Sequence, residues 1–182
     1  LGLVEYELGN LKKAKEFFKE AILSLGYQNM NSVRVYRKKD NQPEMFTLGN
    51  ERFDLFLVNV IDFTFSDNMK NRASVIRHDF GDNLTLYVAN PHDIILMKCA
   101  TDRIKDIDDA RKIINAVSID WNILVDEAKE QIRLGKQRSA FELGNFLEKL
   151  TDLGINVPGS VIDELFEIMQ DQSNNHNSLD DK

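Results

Sequence analysis

The pattern of apolar and polar positions divides this chain into a first part of mixed strands and helices and a second part that is helical. A first helix is predicted from Leu11, because Asn10 can cap its start, Gly26 can end it, and apolar residues recur between them at helical spacing. Apolar residues that alternate with a period of two indicate strands. Such alternation predicts strands at Leu1–Glu7, Ser32–Lys38, Glu44–Leu48 and, most clearly, Arg52–Val60.

The clearest helix start lies in the middle of the chain. Asn90 can cap a helix, Pro91 suits the first helical position, and Asp93 suits the first turn, so a helix is predicted from here to about Thr101. A helical turn and a hairpin are predicted before it, at Ser66–Arg72, Ala73–Phe80 and Leu84–Val88. Four helices are predicted after it, at Lys105–Val117, Asp120–Leu134, Gln137–Leu153 and Val161–Met169. The polar segment 171–182 predicts a disordered tail.

Composition indicates a protein of the cytoplasm with one ordinary domain and a helical extension. The 182 residues are 42% hydrophobic and 29% charged, and no apolar run approaches the ~18 residues that a membrane helix needs. No signal peptide is visible, and the single cysteine, Cys99, falls in an apolar helix, which is typical of a reducing compartment. The net charge of −7 argues against broad nucleic-acid binding but leaves room for a local basic site.

A block of charge follows the Asn90 helix and is the first candidate site. Lys98 and Arg103 place two cations next to the apolar run Ile94–Met97, and such cations need an anionic partner inside the protein or bound to it. The internal alternative pairs Lys98 with Asp102 four residues on, and Arg103 with Asp106 or Asp109. Both readings stay open at this stage.

A second candidate is Asp54, a carboxylate in the middle of the clearest predicted strand. A half-buried carboxylate is costly unless it is paired or binds a metal ion. Three arginines are available as partners, namely Arg34, Arg37 and Arg52.

Two stretches, Arg52–Leu55 and Asn90–Asp109, resemble segments of small nucleotidyltransferase-fold proteins in order and spacing. The resemblance implies an α+β fold with a mixed sheet of the nucleotidyltransferase type over residues 1–117, a helical extension over 118–170 and the tail over 171–182. It implies Asp54 as a catalytic carboxylate that binds Mg²⁺. It also implies that Lys98, Arg103 and Asp106 form the nucleotide-binding group.

By the same resemblance, the implied reaction transfers a nucleoside monophosphate from a nucleoside triphosphate to an RNA or protein acceptor. Proteins of this type can also act as toxins of toxin–antitoxin pairs. Met69–Arg72 resembles a turn that supports the sheet edge, with Arg72 as a further candidate for phosphate contact.

The family's Gly-Ser and Asp-x-Asp motifs are absent before the first helix. We expect either that they precede Leu1 in a longer protein or that Glu5 and Glu7, which share one strand face, replace them. A third reading is a catalytically inactive relative that acts as a binding or regulatory module. A fourth is an unrelated α+β domain in which the charged block is only a network of ion pairs.

Overall fold

A computed structural model of the chain describes residues 10–30, 43–56, 59–60, 62–76, 86–101 and 103–177. The predicted strands at Leu1–Glu7 and Ser32–Lys38 lie outside these residues, and so does the turn of the predicted hairpin. The chain divides into two compact units, Leu1–Ile61 and Asp62–Lys182. The class is α+β, as predicted, with small antiparallel sheets.

Within its described residues, the first unit combines one helix with a three-stranded antiparallel sheet in the order β1-β2-β3. Its elements are α1 (Leu11–Ser24), β1 (Gln28–Asn29), β2 (Glu44–Leu48), β3 (Glu51–Leu55) and β4 (Asn59–Val60). The Asn10 side chain accepts a hydrogen bond from the Lys13 backbone at 3.4 Å and so caps α1 as predicted. Gly26 follows the helix at φ +92°, a left-handed conformation that favours glycine.

The β2–β3 hairpin sets the register that places Asp54. Phe46 lies opposite Phe53 and Met45 opposite Asp54, and Gly49 makes the turn at φ +58°. The predicted strand Arg52–Val60 is interrupted, because β3 ends at Leu55 and β4 begins only at Asn59. Alternation alone could not show this break, since the apolar pattern runs on through it.

The second unit is mostly helical. Its elements are β5 (Phe63–Thr64), α2 (Asp67–Arg72), β6 (Ser74–Ile76), β7 (Leu86–Val88), α3 (Pro91–Cys99), α4 (Ile104–Ala116), α5 (Trp121–Arg133), α6 (Ser139–Asp152) and α7 (Gly159–Asn177). Strands β6 and β7 pair antiparallel, with Val75 opposite Tyr87. None of the described helices is both long enough and apolar enough to cross a membrane.

One hydrophobic core joins α3 and α4 to the later helices. Ile95 and Leu96 of α3 are fully buried in the same cluster as Leu124 of α5, Leu147 of α6 and Leu165 of α7. This core lies within the second unit, and the boundary after residue 117 that the resemblance implied stays a prediction. Helix α7 also continues to Asn177, beyond the predicted end of the last helix at residue 169.

Gly144 lets α6 and α7 approach closely. A Cβ atom at this position would lie 3.1 Å from the Phe166 ring, and Gly144 is buried within α6. We expect Gly144→Leu to lower the free energy of unfolding by about 2 kcal/mol or more, because overpacking forces neighbouring side chains to move.

Urea unfolding followed by circular dichroism measures this effect. In a Phe166→Ala background the same substitution should cost clearly less, because the ring that it meets is gone. An equal cost in both backgrounds would show that the Phe166 contact is not the cause.

Candidate functional site

Asp54 lies on β3 and is held by Arg52, one of the three arginines considered as partners. The two side chains share one face of the strand, because strand residues two apart point the same way. Arg52 Nε donates to Asp54 Oδ1 at 2.8 Å, and Nη2 donates to Oδ2 at 2.6 Å. The side chains are 48% and 28% exposed, so water screens the pair and it adds little to stability.

The fit of Asp54 to Mg²⁺ can be judged from the carboxylates around it. Mg²⁺ needs octahedral oxygen ligands, usually one or two carboxylates together with water and substrate phosphates. Among the described residues, no three His, Cys, Asp or Glu side chains come together as a metal site. Both Asp54 oxygens also accept from Arg52. The described residues therefore do not by themselves fit the ion, and Glu5 and Glu7 lie outside them.

Lys98, Arg103 and Asp106 do come together, at the junction of α3 and α4. Lys98 Nζ donates to Asp106 Oδ1 at 2.7 Å and to Asp109 Oδ2 at 2.8 Å. Arg103 Nε donates to Asp106 Oδ2 at 2.7 Å, and the Thr101 hydroxyl donates to the same oxygen. We call these five residues the Asp106 cluster. Asp102, considered above as a partner of Lys98, lies outside the described residues.

Asp106 is the buried centre of this cluster, with its side chain only 2% exposed. Burial by itself would raise the pKa of Asp106, but hydrogen bonds from Lys98, Thr101 and Arg103 outweigh it and lower the pKa to about 2. For Lys98, burial lowers the pKa, but its bonds to Asp106 and Asp109 outweigh that effect and raise it. Both groups therefore remain charged at neutral pH.

The cations of the Asp106 cluster differ in access to solvent. Lys98 is 25% exposed and already bonds two carboxylates, whereas Arg103 is 63% exposed and contacts Asp106 through Nε. Arg103 is therefore the group of this cluster that an incoming anion reaches most easily. Its bond to Asp106 holds the guanidinium in a fixed place.

A second ionic group was not predicted as a unit. Arg72, at the end of α2, donates to Asp93 Oδ1 at 2.6 Å and to Glu127 Oε2 at 2.5 Å. Ser66 and Gln131 complete the set, because each donates to Glu127 Oε1. We call these five residues the Arg72 network. Both carboxylate side chains are 1% exposed.

The Arg72 network gives Arg72 two buried carboxylates as partners, and a contact between Arg72 and phosphate stays a prediction. Burial raises the pKa of Asp93 in spite of its bonds to Arg72, and the two carboxylates together outweigh the single guanidinium in charge. The sequence held one signal for the network, since Glu127 falls on the apolar face of α5 between Leu124 and Ala128. Its partner could not be read from the chain, because Arg72 is 55 residues away.

We expect Arg72→Met to destabilise the protein by about 3–5 kcal/mol at pH 7, because it leaves two buried carboxylates without a cation. The deficit should shrink as the pH falls from 7 towards 5. The pKa of Asp93 is already raised, and loss of Arg72 raises it further, so the folded variant binds a proton that the unfolded chain does not.

Urea unfolding at several pH values measures both effects. Lys70→Met on the same helix is the matched control, since Lys70 pairs with the exposed Asp67 and should cost under about 0.5 kcal/mol. A deficit for Arg72→Met that does not change with pH would contradict the proposed cause.

We expect Lys98→Met to lower the free energy of unfolding by about 2 kcal/mol, because Asp106 loses a charged donor while it stays buried. Thermal unfolding at pH 7 measures the loss. Lys112→Met is the control, because Lys112 is 79% exposed and lies 3.9 Å from Asp109. Equal melting temperatures for the two variants would show that the Lys98 bond adds nothing to stability.

Comparison with known proteins shows the family to which the chain belongs. Residues 41–149, more than half of the chain, match the family described as "Nucleotidyltransferase of unknown function (DUF6036)". A search of curated proteins found no match. The matched span contains Asp54 and the whole Asp106 cluster. As the resemblance of its motifs indicated, the chain belongs to this nucleotidyltransferase family.

Proposed function

We propose that this protein transfers a nucleoside monophosphate from a nucleoside triphosphate to an RNA or protein acceptor. The observation that carries the proposal is the Asp106 cluster, in which a buried carboxylate holds Lys98 and Arg103 inside the span that matches the family. Charge develops on phosphoryl oxygens during transfer, and cations held in advance stabilise it.

Within this proposal each residue of the cluster has a distinct task. Arg103 binds a phosphate oxygen, since its guanidinium is exposed and its planar fork suits phosphate. Lys98 adds a second positive charge beside it. Asp106 touches neither nucleotide nor acceptor and acts as a positioning residue, because it fixes both cations through hydrogen bonds.

Asp54 is proposed as one carboxylate of a magnesium site. Its partial exposure supports the role, because a screened ion pair with Arg52 can open at little cost. No step of the reaction is derived through the ion, since the described residues do not by themselves form its site.

A second candidate is a family member without catalysis that acts as a binding or regulatory module. The bidentate Arg52–Asp54 pair favours it, since a neutralised carboxylate does not attract a cation. The first candidate requires transfer by the wild type, whereas the second predicts no transfer by the wild type or by any variant.

We expect Asp54→Asn to abolish magnesium-dependent nucleotide transfer, with a loss of at least about 100-fold, because metal stabilisation of charge is worth several kcal/mol. Arg52→Gln should keep transfer or raise it, since it frees the carboxylate. Glu51→Gln is the control on the same strand, where Glu51 accepts from the Tyr27 hydroxyl. Its transfer rate should equal that of the wild type.

The measurement incubates the full chain with each α-³²P nucleoside triphosphate, Mg²⁺ and total cellular RNA or protein. Label in the acceptor is then read on a denaturing gel, and titration calorimetry records triphosphate binding with and without Mg²⁺. Transfer that persists in Asp54→Asn would remove Asp54 from the site. If the wild type neither labels an acceptor nor binds triphosphate, the non-catalytic module is the better account.

A further inference from the structure

A cavity of about 380 Å³ in the second unit lies between the end of α3 and one face of α6. This volume is in the range of small-molecule sites. Its lining includes Cys99 and Thr101 at and just after the end of α3, and Phe141, Glu142, Asn145 and Phe146 on α6.

The α6 residues of the cavity repeat at helical spacing, with Phe141, Asn145 and Glu148 on a common side. The buried faces of α6 pack against α5 and α7, and this side is left to line the cavity. The sequence predicted this helix at Gln137–Leu153 but not a site on it. The tertiary structure brings these residues next to the end of α3.

The apolar part of the lining can accept a flat ring. Phe141 is partly exposed, whereas Phe146 and the Cys99 thiol are buried. An aromatic face beside open space gains energy from stacking with any nucleobase.

The polar part of the lining brings three carboxylates against two cations, Arg138 and Lys149, so its net charge is negative. Glu142, Glu148 and Asp152 bring carboxylates, and Asn145 brings an amide that both accepts and donates. Thr101 uses its hydroxyl hydrogen on Asp106, so towards the cavity its oxygen can only accept. Helix α3 also ends here, and the last carbonyls of a helix carry partial negative charge. Arg138 Nε lies 3.5 Å from Glu142 and offsets part of this charge.

Thr101 joins the cavity to the Asp106 cluster. Its side chain lines the cavity and donates to Asp106, which in turn holds Lys98 and Arg103. A nucleotide whose phosphates contact this cluster therefore has a cavity one side chain away for its base.

We propose that this cavity binds a nucleobase that carries an exocyclic amine, adenine or cytosine, with Phe141 as the stacking surface and Glu142 as an acceptor for the amine. The inference rests on the proposed function, because it assigns the base site of the same nucleotide. It predicts a preference that the reaction class alone does not give. At Glu142, a base with a carbonyl in place of the amine would set one acceptor against another.

Nucleosides without phosphates test the cavity separately from the metal and phosphate groups. Titration calorimetry with the full chain should show adenosine binding at least about fivefold more tightly than inosine, and cytidine more tightly than uridine, because each pair exchanges an amine for a carbonyl. Phe141→Ala should weaken adenosine binding about tenfold through lost stacking. Phe18→Ala, which removes an aromatic ring exposed in the first unit, should have no effect.

Two further measurements locate the binding and guard against misfolding. Glu142→Gln keeps the shape of the side chain but adds a donor, so the ratio of adenosine to inosine affinity should fall towards one. Bound adenosine should shift the backbone amide resonances of Phe141 and Asn145, which line the cavity, in nuclear magnetic resonance spectra of the folded chain. Equal affinities for adenosine and inosine, or adenosine binding that ignores both variants, would overturn the proposal.

The two proposals can fail independently. Adenosine binding with the expected preference, but no transfer to any acceptor, would keep the base site and remove the proposed reaction. Transfer that depends on Asp54 but shows no preference for amine-bearing bases would keep the reaction and remove the base site. Asp54→Asn should leave adenosine affinity unchanged, because β3 contributes no residue to the lining of this cavity.

Discussion

The second unit depends on one arginine between two buried carboxylates. Arg72 connects α2 to α3 through Asp93 and to α5 through Glu127. Each carboxylate would cost several kcal/mol in an apolar core without a partner, so the three side chains are kept in one arrangement. Glu127 is further held by Ser66 and Gln131, and Gln131 also bonds both backbone groups of Thr64. The network therefore fixes the positions of β5 and α2, at the start of this unit, relative to helices α3 and α5.

Helix α3 is held by ion pairs at both ends. Asp93 in its first turn belongs to the Arg72 network, and Lys98 in its last turn belongs to the Asp106 cluster. Its middle turn buries Ile95 and Leu96 in the core. A helix held at three places keeps its side chains in fixed positions, which is what a site that binds phosphates needs. The same placement brings Thr101 and Cys99 to the cavity that we assign to the base.

The ion pair of Asp54 differs from these buried groups in exposure and strength. Its pair with Arg52 is local, exposed to solvent and weak, whereas the Asp106 cluster is buried at its centre. A weak pair adds little to stability and can exchange its partner for another cation. This contrast explains why the two proposed sites call for different tests: substitution at Lys98 affects folding as well as binding, while substitution at Asp54 leaves the fold largely unchanged.

Local signals in the sequence were enough to predict the family and several of the helices and strands. Asn90 and Pro91 predicted the start of α3, and Asn10 predicted that of α1, because caps depend on neighbouring residues only. The sequence predicted the pair of Arg103 with Asp106, three residues apart, but not the bonds from Lys98 to Asp106 and Asp109, which form across the junction of α3 and α4. The break after Leu55 and the extension of α7 to Asn177 were not visible, since alternation and polarity do not record packing.

Contacts between residues far apart in the chain were decided only by the tertiary structure. Arg72 bonds Glu127 across 55 positions of the chain and Asp93 across 21. The cavity beside α3 likewise exists because α6 lies next to the end of that helix. The sequence by itself determined which residues could carry charge and chemistry, through local spacing and helix caps. The fold decided which of them meet, because burial and long-range packing set the partners of each charged group.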